Sequence, residues 1–177
     1  TIEDLRVEYH TQDGTVHAVE GLSLEVDRGE TLGLVGETGA GKTTTALSVM
    51  RLVPNPPGVI TGGKVTFKGK DLLKETEETM QGLRGNKVSM IFQDPMTSLN
   101  PVLTVGFQIE EVLALHQGLS KSAAAKKAAE MLALVGIPAE RAADYPPQFS
   151  GGMKQRVGIA IALACNPELL IADEPTT

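Results

Sequence analysis

The sequence contains no tryptophan, and only 3% of its 177 residues are aromatic. Proteins that grip single-stranded nucleic acid stack bases on aromatic side chains, so that function class is excluded early. Positive charge is also scarce. Sixteen Lys and Arg stand against 22 Asp and Glu, a net charge of −6. That is the wrong sign for a broad phosphate-backbone footprint, so no nucleic-acid partner is expected. The lone cysteine, Cys165, has no mate for an internal disulfide and no second thiol for a metal cluster, which suits a reducing compartment. Its surroundings, IALACNP, read as a small buried hydrophobe. Long apolar runs are missing too. The longest, VGIAIALAC at 157–165, falls far short of the roughly 20 residues of a membrane helix. No signal peptide is visible.

What remains is ordinary folded-protein composition, 41% hydrophobic and 21% charged, in a chain long enough for one good core. Residues 2–9 and 15–26 read as strands, the second from the alternation in LSLEV. TLGLVG (31–36) is a continuous apolar run, typical of a strand covered on both faces. KTTTALSVMRLV (42–53) reads as a helix ended by NPPG, and GGKVTFKGKDLL as extended chain. KETEETMQGLRG (74–85) is a short polar helix or loop, and KVSMIFQD (87–94) a strand with Val88, Met90 and Phe92 on one face. From Thr104 to Gly136 the period becomes helical, with Ser120 as an N-cap and Gly136 followed by Pro138 as a stop. SGGMKQRVGIAIALA reads as a buried helix and PELLIADE as a buried strand. The class is α/β with an inserted α-helical subdomain.

GETGAGKT, from Gly36 to Thr43, fits the phosphate-binding pattern G-x-x-x-x-G-K-[ST] in full. Gly36, Gly39 and Gly41 let the backbone curl so that successive N–H groups face phosphate oxygens. The helix beginning near Lys42 aims its positive end at the same point. The Lys42 ammonium reaches the β- and γ-phosphates, and the Thr43 hydroxyl is a hard ligand for Mg²⁺. At average residue frequencies such a match arises by chance roughly once in a hundred chains of this length. An acidic partner strand is expected, and LLIADE supplies it. Asp173 holds Mg²⁺ through water, while Glu174 turns the opposite way and polarises an attacking water.

FSGGMKQR (149–156) then presents a second anion grip, a Ser and two Gly opening a helix. With the first loop filled by its own nucleotide, Ser150, Gly151 and Gly152 need another target. The economical one is the γ-phosphate held by a second chain packed head to tail. One plainer reading stands beside it: Ser150 as a simple helix cap, with the glycines kept for close packing.

Together these motifs resemble the nucleotide-binding subunit of ATP-binding cassette (ABC) transporters. GETGAGKT is similar to the Walker A loop, LLIADE to Walker B with its catalytic Glu, and FSGGM to the signature usually written LSGGQ. Gln93 in IFQDP stands at the Q-loop position and Tyr9 at that of the aromatic residue that stacks on adenine. The resemblance implies a P-loop NTPase core with an N-terminal antiparallel β part. The core would run over 1–96 and 165–177 and the helical subdomain, including the signature helix, over 97–164. It implies ATP and Mg²⁺ as ligands. Backbone N–H groups of Gly39, Ala40, Gly41, Lys42, Thr43 and Thr44 would hold phosphates. Thr43 and Gln93 would ligate Mg²⁺, with Asp173 behind them. Glu174, Lys42 and Gln93 would carry the hydrolysis, and Ser150, Gly151 and Gly152 would serve the partner's ATP.

FQDPMTSLNP (92–101) and YPPQFSGGMKQR (145–156) resemble the ATPases of bacterial di- and oligopeptide importers, a group that includes nickel importers. Pro147 stands where that group has His. The implied partners are a second ABC ATPase subunit, like or unlike, transmembrane permease subunits and, indirectly, a solute-binding protein. The implied location is the cytoplasmic face of a bacterial or archaeal membrane. The family's D-loop and switch histidine fall beyond DEPTT, so the domain is expected to be incomplete at its C-terminus. His10, His17 and His116 all precede Walker B and read as surface or strand residues. Two other functions are compatible with the motifs: a soluble ABC ATPase without a membrane partner, and a nucleotide-binding module without turnover.

Overall fold

The computed structural model describes residues 1–94 and 98–175. Residues 95–97, inside FQDPMTSLNP and at the expected start of the helical subdomain, and 176–177, the end of DEPTT, lie outside the described residues. The chain divides into two compact units, Thr1–Gln81 and Gly82–Thr177.

The first unit is built on a four-stranded sheet of order β2-β1-β3-β4. The strands are β1 (Ile2–Thr11), β2 (Gly14–Leu24), β3 (Gly58–Phe67) and β4 (Lys70–Asp71), each antiparallel to its neighbours. In β1 the apolar side chains Ile2, Leu5 and Val7 are buried while the intervening polar ones face out. A strand covered on one face produces that pattern. Helix α1 (Lys42–Met50) follows the glycine-rich loop. It stops three residues short of the expected Val53. Arg51 turns left-handed there, with φ 51°, and its N–H closes on the Leu47 and Ser48 carbonyls. Helix α2 (Glu77–Leu83) begins with Glu77 and Glu78 in its first turn, where carboxylates favour the helix dipole.

The apolar run 31–36 departs from expectation. It forms no strand and is exposed, Val35 at 94%. The four paired strands of this unit's sheet do not include it, and a strand forms only where a neighbour pairs with its backbone.

The second unit pairs β5 (Val88–Ile91) in parallel with β6 (Leu169–Ala172), with Val88 opposite Leu169 and Ile91 opposite Ala172. All four residues of β5 are buried, and Phe92, expected on one face with Val88 and Met90, lies past the strand's end, 42% exposed. The expected buried strand β6 instead alternates half-buried and exposed residues. Among the described residues three long α-helices lie between the strands in sequence: α3 (Val105–Gln117), α4 (Lys121–Leu134) and α5 (Gly151–Leu163). Val105, Ile109 and Leu113 of α3 are fully buried at four-residue spacing against Ala128 and Leu132 of α4 and Val157 and Ala160 of α5. The small alanines allow close approach of the helices.

Polar residues fix the ends of this helical core. Ser120 caps α4 by accepting from the Ala123 N–H, and Gly136, with φ 72°, ends it. Buried Gln108 accepts from the Asn100 N–H and donates to the Asn100 and Leu103 carbonyls, tying the preceding loop to α3. Arg156 of α5 donates to the Val135 and Gly136 carbonyls at 3.2 and 3.1 Å. Those carbonyls are orphans at the end of α4, so one guanidinium both caps one helix and positions the next.

Cys165 is buried in this core, and desolvation pushes its thiol up from the ordinary value. Reagents attack the thiolate, so labelling in the native state is expected to be at least about tenfold slower than in denaturant. Timed absorbance with an aromatic disulfide reagent checks this. Equal rates would mean the helical core is open.

Candidate phosphate loop, acidic strand end and serine–glycine turn

Two left-handed glycines bend the loop before α1. Gly39 has φ 85° and Gly41 φ 82°. A Cβ on Gly41 would lie 2.3 Å from the Ala18 carbonyl oxygen of β2, so sheet contact and backbone conformation both demand glycine. The Thr45 N–H and hydroxyl both reach the Gly41 carbonyl, at 2.8 and 2.9 Å, which seals the first turn. Gly41 offers no side-chain cap, and no acidic residue occupies the first turn of α1. Among the described residues of this helix start, then, nothing offsets the positive end. Lys42 folds back across the loop, its Nζ donating to the Gly36 and Glu37 carbonyls at 2.7 and 2.9 Å. The ammonium is held at the loop mouth by bonds that a phosphate oxygen can replace.

Thr43 is the next residue along α1. Thr44 lies 3.4 Å, Oγ1 to Oη, from Tyr9 of β1. Gly58 sits beneath the Tyr9 ring, where a Cβ would come within 2.9 Å of Cε1. The half-buried Tyr9 is thereby packed against the start of α1, beside the loop it was expected to serve.

In the second unit the parallel pair β5–β6 brings Gln93, Asp173 and Glu174 to one strand end. The Asp173 N–H donates to the Ile91 carbonyl at 3.0 Å, extending the ladder one residue and burying Asp173. Glu174 then turns left-handed, with φ 46°, into a region sparsely used by residues other than glycine. The turn throws its side chain outward, where Oε2 accepts from Gln93 Nε2 at 2.9 Å. Asp173 is thus buried and Glu174 exposed at the strand end. Gln155 of α5 donates to the Pro175 carbonyl at 2.9 Å, fixing the residue after Glu174.

Ser150 begins α5, and its hydroxyl accepts from the Met153 N–H at 3.4 Å, so the capping reading holds. The close-packing reading of the glycines does not. Gly151 and Gly152 are exposed, neither has a positive φ, and a Cβ on either would meet nothing within 4 Å among the described residues. Nothing in the described part of the chain's own fold requires glycine at those positions.

His10 and His17 are exposed strand residues, as expected, with His17 3.2 Å from Glu8 and His10 3.1 Å from Thr15, whereas His116 is half-buried in the last turn of α3, neither a surface nor a strand residue. Among the described residues no group of three or more His, Cys, Asp or Glu could hold a metal ion. None of the described helices is long and apolar enough to cross a membrane. Sequence reasoning gave no role to Arg141 or Gln155. Arg141 lies outside the quoted motifs, Gln155 lies within FSGGMKQR, and each acquires its partners only through tertiary packing.

The chain is 53% identical to the oligopeptide transport ATP-binding protein OppD of Bacillus subtilis, over 99% of this chain and 50% of that protein. It is 52% identical to the dipeptide transport ATP-binding protein DppD of the same organism, over 100% of this chain and 53% of that one. It thus spans about half the length of either relative. Its structure superposes on the ATP-binding cassette MJ0796, solved as a dimer in a post-hydrolysis state bound to ADP and Pi. The TM-score is 0.88 at 28% identity, over 99% of this chain and 73% of the other. The ABC transporter family matches residues 19–177. With the phosphate loop, the acidic strand end and the serine–glycine turn all inside that span, the chain belongs to the ABC transporter family.

Proposed function

We propose that this chain binds Mg-ATP and is the ATP-binding part of a peptide importer's ATPase, working as a head-to-tail dimer at the cytoplasmic face of a membrane. The backbone N–H groups of Gly39 to Thr44 and the Lys42 ammonium hold the triphosphate. Tyr9 offers its ring to adenine. Thr43, the Gln93 amide oxygen and, through water, Asp173 are hard oxygen donors. They suit Mg²⁺, which keeps several waters and leans on substrate phosphates rather than on an all-protein cage. Mg²⁺, when bound, supplies neutralisation of the charge on the transferring phosphoryl group. Glu174 orients the attacking water, and its bond to Gln93 sets the direction of the carboxylate. Ser150, Gly151 and Gly152 close on the partner's γ-phosphate and make turnover depend on dimer closure. The relatives named for oligopeptide and dipeptide transport support peptides as the solute and permease subunits as membrane partners.

The observation that carries this reading is the pair of exposed glycines beside Ser150 for which the described fold gives no reason. A partner's phosphate approaching the backbone gives one. Gly151→Asp tests it. A carboxylate in the first turn of a helix is neutral or mildly stabilising, so the protein should stay folded and bind nucleotide. ATP-driven dimerisation and turnover should fall roughly 100-fold, as a misplaced charge at a phosphate site demands. Turnover at the parent rate would remove the shared site.

A further inference from the structure

Arg141 lies in the short helical turn Ala139–Ala143, ahead of the serine–glycine turn, and its guanidinium meets four separate groups. Nε donates to Asp144 Oδ2 at 2.7 Å, which orients the fork. Nη2 donates to the Gln148 carbonyl at 3.1 Å, gripping the backbone just before Phe149. The guanidinium carbon sits 4.3 Å from the centroid of the Phe149 ring. Nη1 approaches Met153 Sδ at 3.7 Å in the first turn of α5. Gln148 and Phe149 precede the turn and Met153 follows it, so one planar cation bridges both flanks of Ser150-Gly151-Gly152.

Two of the three side chains it touches, Phe149 and Met153, are also the two positions at which FSGGM departs from LSGGQ. Phe149 is buried with Val157 and Ala160, a place leucine would also fill. What phenylalanine adds is a π face for a cation. Methionine adds a soft thioether where glutamine would compete for the same donors. A Cβ on Gly151 or Gly152 would meet nothing within 4 Å among the described residues, so side chains on the flanks are placed to set the turn's orientation.

We infer that Arg141 is a positioning residue for the serine–glycine turn, and that Phe149 and Met153 are its matched seats. This rests on the reading that the turn closes a second copy's nucleotide site. Lysine cannot serve at the position: it lacks the planar fork that bonds Asp144 and Gln148 while lying over a ring.

The test uses the full-length protein, with nucleotide affinity, ATP-driven dimerisation, turnover and thermal midpoint measured side by side. Arg141→Ala is expected to lower turnover at saturating ATP by roughly 10-fold or more. Affinity of the monomer for a fluorescent ATP analogue should stay within about two-fold of the parent, since the phosphate loop is independent of Arg141. Arg141→Lys should behave like Arg141→Ala. In a Phe149→Leu background, the Arg141→Ala loss should shrink by about two- to five-fold, the worth of one cation–π contact. Recovery of parent turnover in Arg141→Lys would overturn the inference. So would nucleotide affinity and folded fraction falling in step with turnover, which marks a merely structural role. Gly151→Asp separates the layers. If it loses turnover and Arg141→Ala does not, this inference alone fails. If Gly151→Asp is silent, the shared-site reading beneath it fails.

Discussion

Glu174→Gln is expected to lower ATP turnover roughly 1,000-fold, the scale of losing a positioned general base, while nucleotide binding and fold persist. The substitution is nearly isosteric. Its side chain is exposed, so no buried contact is lost. The Gln93 Nε2 donor that now meets Glu174 Oε2 at 2.9 Å can bond an amide oxygen as well. The left-handed backbone at 174, φ 46°, strains glutamine no more than glutamate. Only the negative charge and the basicity of the carboxylate disappear. The closed ATP-bound dimer, no longer discharged, should accumulate and be visible by size-exclusion chromatography with ATP. Phosphate release in the steady state is the deciding measurement. A rate within a few-fold of the parent means that another group orients the water.

That prediction depends on a strand end that the sequence made partly readable. Four apolar residues followed by Asp173 and Glu174 implied a strand delivering two acids in opposite directions, and alternation along a pleat is the reason. The mechanism of divergence is different in detail: one extra ladder bond from Asp173 buries it, and a left-handed turn at Glu174 expels the next side chain. A positive φ outside glycine leaves no mark in a sequence. The phosphate loop was legible because its requirements are local, a φ for Gly41 and a donor at Lys42. The helix caps at Ser120 and Ser150 were legible for the same reason. The run 31–36 was misread because apolar continuity states what a strand needs, not whether neighbours are there to supply it. Phe92 was placed on a strand face with Val88 and Met90 because the three alternate, whereas β5 ends at Ile91. Arg141 was invisible because its four partners, among them Phe149 and Met153, converge only in space.

Lys42→Ala separates binding from chemistry. The ammonium now bonds two exposed loop carbonyls, those of Gly36 and Glu37. Water can replace it at both, so removing it should leave the fold almost unchanged. On the proposed reading, those bonds are expected to give way with ATP present to bonds with β- and γ-phosphate oxygens, where donor and acceptor are both charged. Losing two charge-assisted hydrogen bonds should weaken ATP affinity roughly 1,000-fold. ADP, which lacks the γ-phosphate, should lose less, and adenosine almost nothing. That ordering distinguishes a lost phosphate contact from a distorted loop, which would weaken all three alike. Isothermal titration with the three ligands gives the answer directly. Affinity for ATP equal to that of the parent would refute the loop as the nucleotide site. A loss of ATP binding in Lys42→Ala, set against retained binding in Glu174→Gln, assigns binding to the loop and turnover to the acidic strand end.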